Sequence, residues 1–237
     1  MLKFIGIGSA FNTEMGNNSG FIKKEGAMIL IDCGGTVFER LKKFQLLKDI
    51  SKIYIIITHT HPDHIGSLGD LIFYCHYKLK IKPVIYFPEN TLIRKLFSVV
   101  GVKENMYIIK TAMKNTEIDK GLGKFTIEYL QGSHAKSIPA YSFYLTLDKT
   151  TVYYSGDSNR ISKEVIEKLK KDEIQNIYQD TTSIDYVATG HLPFKKLCEV
   201  IEESLRERVY CMHLDENLDK EVILSSGFNI APLIAMN

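Results

Sequence analysis

The segment Thr58-His59-Thr60-His61-Pro62-Asp63-His64 sets three imidazoles and a carboxylate within six residues, directly after the apolar run Ile53-Tyr54-Ile55-Ile56-Ile57. An apolar, β-branched run of this length reads as a buried strand, and strand periodicity turns alternate residues to one side. His59 and His61 therefore point one way at the strand end, while Asp63 and His64 are carried around the bend that follows. This density of imidazole and carboxylate fits a metal centre, with room for two adjacent ions.

Three more positions repeat the pattern of a polar ligand after an apolar run. They are His134 in Leu130-Gln131-Gly132-Ser133-His134, Asp157 in Tyr154-Ser155-Gly156-Asp157, and His213 in Tyr210-Cys211-Met212-His213. Singly, each also reads as a core histidine or a turn aspartate; beside the first cluster, each reads as a ligand.

The remaining pattern predicts an α/β chain. Apolar runs at 2–7, 20–22 and 28–31, separated by Gly and Asn, read as an opening antiparallel meander. Helical spacing follows at Val37, Leu41 and Phe44, and again at Ile65, Leu68, Leu71, Ile72 and Cys75. Strands are expected at 83–87, 106–109, 124–130, 141–147, 151–155, 174–178 and 209–212. Helices are expected at 91–100, 163–171, 194–205 and 219–225. With no linker and no repeat, residues 1–237 read as one domain.

A net charge of +2 offers no basic stripe for a long polyanion, although composition alone neither requires nor excludes nucleic acid. Cys33, Cys75, Cys198 and Cys211 form no C-x-x-C pair and read as reduced thiols, consistent with a cytoplasmic protein. The amino-terminal apolar run is too short for a signal peptide, and no stretch approaches the about 20 residues of a membrane span, so no membrane is expected as a partner. The excess of Lys over Arg, with abundant Ile and Asn, suggests an AT-rich bacterial or phage genome. His76, between Cys75 and Tyr77 in a helical pattern, reads as structural or surface.

The ordered set His-x-His-x-Asp-His, His, Asp, His resembles that of the metallo-β-lactamase-fold hydrolases. The resemblance runs from Gly6-Ile7-Gly8-Ser9-Ala10 to the strand that ends at His213. It implies a four-layer αβ/βα sandwich with the site at one edge. It further implies that His59, His61 and His134 hold one metal, that Asp63, His64 and His213 hold a second, and that Asp157 bridges them. Zinc is the implied ion, and manganese or iron also suits these ligand types. Flavodiiron oxidoreductases of the family carry glutamate where this chain has His61, which favours hydrolysis over redox chemistry.

Gln179-Asp180-Thr181-Thr182, followed by Gly190-His191-Leu192, resembles the ribonuclease Z branch. There an acidic residue and a histidine, here Asp180 and His191, steady the scissile phosphate and protonate the leaving oxygen. Asp180 departs from the more usual glutamate, which shortens its reach. On its own, His191 also reads as a cap of the helix starting near Pro193. The branch is dimeric, so a homodimer is expected.

Two metals about 3.5–4 Å apart stabilise both oxygens of an in-line phosphoryl displacement and bring a bound water toward a pKa of about 7. Asp63 is expected to orient that water. Long tRNA-processing members of the branch insert a basic arm between the equivalents of His134 and Asp157, which lie only 23 residues apart here. The loop Phe11-Asn12-Thr13-Glu14-Met15-Gly16-Asn17-Asn18-Ser19 also lacks Lys and Arg. A small nucleotide fits better than a long nucleic acid. The chain is similar to compact cyclic-nucleotide phosphodiesterases, among them phage anti-Pycsar proteins that destroy cyclic pyrimidine signals. Asn17, Asn18, Ser19, Lys136, Ser137 and Tyr141 are the candidate substrate contacts. The competing readings are a minimal tRNA 3′-endonuclease, a nucleotide-binding protein without activity, and a hydrolase of lactones or other esters.

Overall fold

The strand-forming runs of the first half pair into one sheet and those of the second half into another, in a computed structural model that describes residues 2–185 and 190–234. The first sheet opens with the antiparallel meander β1 (Lys3–Gly6), β2 (Ser19–Lys24) and β3 (Ala27–Ile31). It continues in parallel through β4 (Lys52–Ile56), β5 (Val84–Tyr86) and β6 (Ile108–Lys110). In the second sheet β7 (Lys114–Asp119), β8 (Gly123–Gln131), β9 (Tyr141–Leu147) and β10 (Thr150–Tyr154) run antiparallel. There β11 (Asn176–Asp180), β12 (Val209–Met212) and β13 (Asn229–Ile230) extend β10 in parallel.

Parallel neighbours need crossover connections, and here helices supply them. In the first half these are α1 (Val37–Lys43), the pair α2 (Pro62–Ile65) and α3 (Leu68–Tyr74), and α4 (Asn90–Val100). In the second half they are α5 (Lys163–Lys170), α6 (Phe194–Val200) and α7 (Lys220–Ser225).

Strand alternation separates the two faces of the first sheet. Met28, Leu30, Ile53 and Ile55 pack with Val37 and Leu41 of α1, Leu71 of α3 and Phe97 of α4. Their neighbours Ile29, Ile31, Tyr54 and Ile56 fall in the other cluster, with Ile127, Tyr129 and Phe143 of the second sheet and Val165, Leu197 and Ile223 of its helices. A sheet covered on both faces needs unbroken apolar strands, which is why residues 28–31 and 53–57 show no polar interruption. Burying each such isoleucine contributes about 1.5–3 kcal/mol relative to exposure. The result is the expected αβ/βα sandwich. Among the described residues no helix is long and apolar enough to cross a membrane.

Several elements differ from expectation, each for a local reason. The helix expected through Ile65 and Cys75 breaks at Gly66–Ser67, where the Ser67 hydroxyl accepts from Phe38 N–H at 3.1 Å and donates to the Gly34 carbonyl. The helix expected over 194–205 ends at Val200, because Arg206 donates to the carbonyls of Cys198 and Ile201 and so caps the chain as it turns. Strand β7 was not expected: only Asn115 of its six residues is buried, leaving no apolar alternation to see. Strand β11 lies two residues later than expected, which makes Asp180 its last residue.

Candidate metal centre

Beyond β4 the chain runs on through Ile57 and Thr58, both buried, so His59 emerges fully buried past its carboxyl end. His61 is the last extended residue, with φ −68° and ψ 152°, and Pro62 opens α2, whose first turn carries Asp63 and His64. On the second sheet, His134 follows β8, Asp157 follows β10, Asp180 ends β11 and His213 follows β12. The site thus gathers at carboxyl strand ends, where α/β sheets place their ligands. Gly156 makes the turn into Asp157 with φ +57°, and a Cβ there would meet the Tyr141 carbonyl at 2.7 Å. Gly190, with φ +85°, passes so close that a Cβ would sit 2.7 Å from His134 Nδ1.

Six of the seven histidines of the chain converge here. His59 Nε2 and His134 Nε2 lie 3.0 and 3.1 Å from His61 Nδ1. Asp63 Oδ2 lies 3.3 Å from His64 Nε2 and 3.2 Å from His213 Nε2. Asp157 faces both groups: its Oδ2 is 3.6 Å from His59 and 3.7 Å from His134, while its Oδ1 is 3.2 Å from His64 and 3.5 Å from His213. The sequence-predicted ligands therefore meet in two groups, His59–His61–His134–Asp157 and Asp63–His64–Asp157–His213, with ligand atoms inside 4.8 Å in each.

The backs of four of the five histidine rings in these two groups are held in place. His134 Nδ1 donates to the Gly190 carbonyl at 3.0 Å, and His59 Nδ1 is 3.0 Å from the Thr58 hydroxyl. His64 Nδ1 donates to Asp32 at 2.8 Å, and His213 Nδ1 lies 3.3 Å from Asp180 Oδ1. Anchoring one nitrogen on an acceptor fixes the tautomer and frees the other as a ligand. His64 Nε2 and Asp157 Oδ1 are buried and face each other at 3.2 Å, and neither makes a well-formed hydrogen bond among the described residues. Buried polar atoms without partners are costly, and a divalent cation is what this donor set would satisfy. The residues fit a metal.

The carboxylates and His59 already stand in the form that a metal would bind, whereas His64 and His213 hold protons that a metal would displace. Burial opposes ionisation of Asp63 and Asp157, but the surrounding histidines outweigh it and hold both carboxyls well below their usual range. Burial and its imidazole neighbours push His59 well below the ordinary value, so it is neutral and ready to ligate. Burial alone would lower His64 and His213, yet the carboxylates prevail: His64 is raised well above its ordinary value and His213 to about 10.

Sequence reasoning missed Asp32. It is wholly buried, has φ +59°, and accepts from Thr58 N–H at 2.8 Å, from the Thr58 hydroxyl at 2.7 Å and from His64. The signal was present, since Asp32 also follows an apolar run, Met28 to Ile31.

His191 stands beside the metal groups. Its Nδ1 lies 2.7 Å from Asp180 Oδ2 and 3.9 Å from Asp157 Oδ2. Despite its short side chain, Asp180 reaches His191; the expected pairing is present in the structure. Burial lowers the His191 pKa but Asp180 more than offsets it, leaving the imidazole raised. The groups open into a cleft of about 900 Å³ lined by His61, Asp63, His134, Asp157, His191 and His213, with Lys136, Asn159, Thr182 and Asp215 also on its walls.

The expected substrate contacts need correction. Asn17, Asn18 and Ser19 are buried and face the scaffold. Asn17 exchanges two hydrogen bonds with Thr36, Asn18 donates to the Tyr154 hydroxyl at 2.9 Å, and Ser19 donates to the Asp32 carbonyl at 3.1 Å. Tyr141 is also displaced from the role expected of it, because its ring packs edge-on against Phe87 and Tyr129. Ser137 is exposed and absent from the cleft walls, whereas Lys136 lies on them. Phe11, Asn159, Ile184 and Asp215 line the cleft and were not foreseen.

The fold is that of the metallo-β-lactamase-fold protein YhfI from Bacillus subtilis, matched with a TM-score of 0.75 at 18% identity over 99% of this chain and 95% of that one. The anti-Pycsar protein Apyc1 of Bacillus phage BSP38 is 36% identical over 241 residues, covering 92% of this chain and 90% of that protein. The Apyc1 of Paenibacillus harenae is 27% identical over 230 residues, covering 92% and 91%. The family model for the anti-Pycsar protein Apyc1 matches residues 1–230, and this chain belongs to that family.

Proposed function

We propose that this protein is a metal-dependent phosphodiesterase that opens a small 3′,5′-cyclic nucleotide, pyrimidine rings included, to the nucleoside monophosphate. The observation that carries the reading is Asp157, whose two oxygens face two separate histidine groups beside the Asp180–His191 pair. Two zinc ions suit the donor set: His59, His61 and His134 would hold one, Asp63, His64 and His213 the other, and Asp157 both. Bound there, they would supply Lewis acidity and a nucleophile at neutral pH.

The protein residues account for the rest of the chemistry. Asp63, ionised at the cleft wall, accepts a hydrogen bond from the attacking water and orients it. Lys136 places a positive charge where the phosphate enters. His191, whose protonated form the Asp180 carboxylate favours, donates a proton to the ribose oxygen that departs. The P–O bond breaks, water oxygen replaces ribose oxygen, and the diester becomes a monoester.

Small size is supported by the chain between His134 and Asp157. It consists of β9, β10 and a tight turn at Asp148, with no inserted arm to grip RNA. Membership of the anti-Pycsar family favours a role in removing a signalling nucleotide. A homodimer belongs to the same reading, and light scattering at assay concentration tests it. Incubating the metal-loaded protein with cyclic mononucleotides, cyclic dinucleotides and precursor tRNA tests the function. Ring opening of a cyclic mononucleotide supports it; trimming of tRNA alone overturns it.

A further inference from the structure

Phe11 lies on the cleft wall and is 86% exposed, although a phenylalanine ring ordinarily packs inside. Its loop is nonetheless fixed. The next residue, Asn12, is 3% exposed and its side chain donates to the Leu214 carbonyl at 3.0 Å. Ser9 N–H donates to that same carbonyl at 3.0 Å, Leu214 N–H returns a bond to Ile7 at 2.8 Å, and Thr13 N–H closes on the Phe11 carbonyl at 2.9 Å. Leu214 directly follows His213. The loop that carries the aromatic ring is thus fixed to the strand end that precedes Leu214 and bears His213.

The other wall groups explain what such a ring is for. Asp215 borders the same cleft, but its oxygens already accept from Thr182 Oγ1 at 2.8 Å, Ser183 Oγ at 2.8 Å and Asn217 N–H at 2.9 Å. Ile184, 48% exposed, adds a second apolar surface from the loop after β11. Away from the histidines, the cleft therefore presents a flat aromatic and an aliphatic face, with a carboxylate whose hydrogen-bonding capacity is taken.

We infer that Phe11 is the platform on which the planar ring of the substrate nucleotide stacks, positioning the phosphate at the metal groups. The inference rests on the reading of the cleft as a nucleotide site. Every base has a π-face, so stacking on an aromatic side chain secures a ring without reading its edge. Phe11 is a positioning residue: it holds the substrate and leaves the chemistry to the groups beneath.

The test compares binding of two ligands that the site does not cleave, cytidine 5′-monophosphate and ribose 5-phosphate, to the metal-loaded full chain by calorimetry. The wild-type protein should prefer the nucleotide. Because stacking loss is read from one side chain, Phe11→Ala should weaken cytidine monophosphate roughly 5- to 100-fold and leave ribose 5-phosphate within about twofold. Phe11→Trp should restore the preference, and Phe11→Leu should not. With a cyclic nucleotide as substrate, Phe11→Ala should raise KM by the same factor at unchanged kcat. No wild-type preference, equal weakening of both ligands, or full rescue by Leu would overturn the inference. Absence of cyclic-nucleotide turnover with the binding difference intact would instead reject the enzymatic reading and leave the platform standing.

Discussion

Asp180 holds His191 at 2.7 Å through Oδ2, while its Oδ1 lies 3.3 Å from His213 Nδ1. One carboxylate therefore serves both the proposed acid and a proposed metal ligand. It is itself fixed by Ser158 N–H at 2.9 Å.

This arrangement makes the two single variants unequal. His191→Ala should lower kcat about 10²–10⁴-fold, the range for a lost general acid, with metal content unchanged. Asp180→Asn should show that loss and also weaken metal binding by about 10–100-fold, as removal of a ligand's supporting partner does. Elemental analysis beside steady-state kinetics checks both. Equal metal content in the two variants would show that Asp180 does not support His213.

Asp32 is the corresponding support for the other side of the site. Asp32→Ala removes the acceptor of His64 Nδ1 and of two Thr58 donors, all buried. Unsatisfied buried donors cost about 1–3 kcal/mol each, so a clear fall in Tm is expected, together with weaker metal binding. Asp32→Asn keeps the shape and an acceptor oxygen and should recover part of the stability. Denaturation scans of both variants decide this, and a wild-type Tm for Asp32→Ala would contradict it.

The metal-free protein should lose stability as pH rises above neutral. His213, raised to about 10, and His64 and His191, also raised, bind protons in the folded state that the unfolded chain releases near pH 6.5. Their contribution is fully present below about pH 6.5 and is lost as pH climbs through the folded values. His59 and His61, lowered by burial, add an opposing slope only while the unfolded chain titrates, which is over by about pH 7.5. Burial pushes Cys33, Cys75 and Cys211 up to about 12, which adds a loss above pH 9 in metal-free and metal-loaded protein alike. Bound metal requires neutral imidazoles, so the gap in Tm between loaded and free protein should widen from pH 6.5 to 10. A constant gap would contradict the assignment of these protons.

The metal groups were legible because the His59–His64 cluster follows one apolar run and His134, Asp157 and His213 each follow another, a local signal that survives folding. Asp32 carries that signal too, but it stands before Gly34-Gly35 with no histidine beside it to mark a site. Asn17 and Asn18 misled in the opposite way. A Gly- and Asn-rich stretch resembles an exposed loop, and only tertiary partners, Thr36 and Tyr154, bury them. The helix over 194–205 had acceptable periodicity throughout; its early end depends on Arg206 reaching back to carbonyls, which no local window contains. Phe11 was invisible as a site residue because exposure is a property of the fold.

The central claim is cleavage of a small cyclic phosphodiester, and chromatography of reaction products tests it most directly. Metal-loaded protein is incubated with 3′,5′-cyclic CMP, 3′,5′-cyclic UMP and precursor tRNA at two ionic strengths. The account predicts conversion of the cyclic nucleotides to monophosphates, abolished by chelation, with only modest salt dependence. One phosphate is engaged, against the about 6–10 contacts of an extended nucleic-acid footprint. Intact cyclic nucleotides beside trimmed tRNA, with activity falling steeply as salt rises, would contradict it.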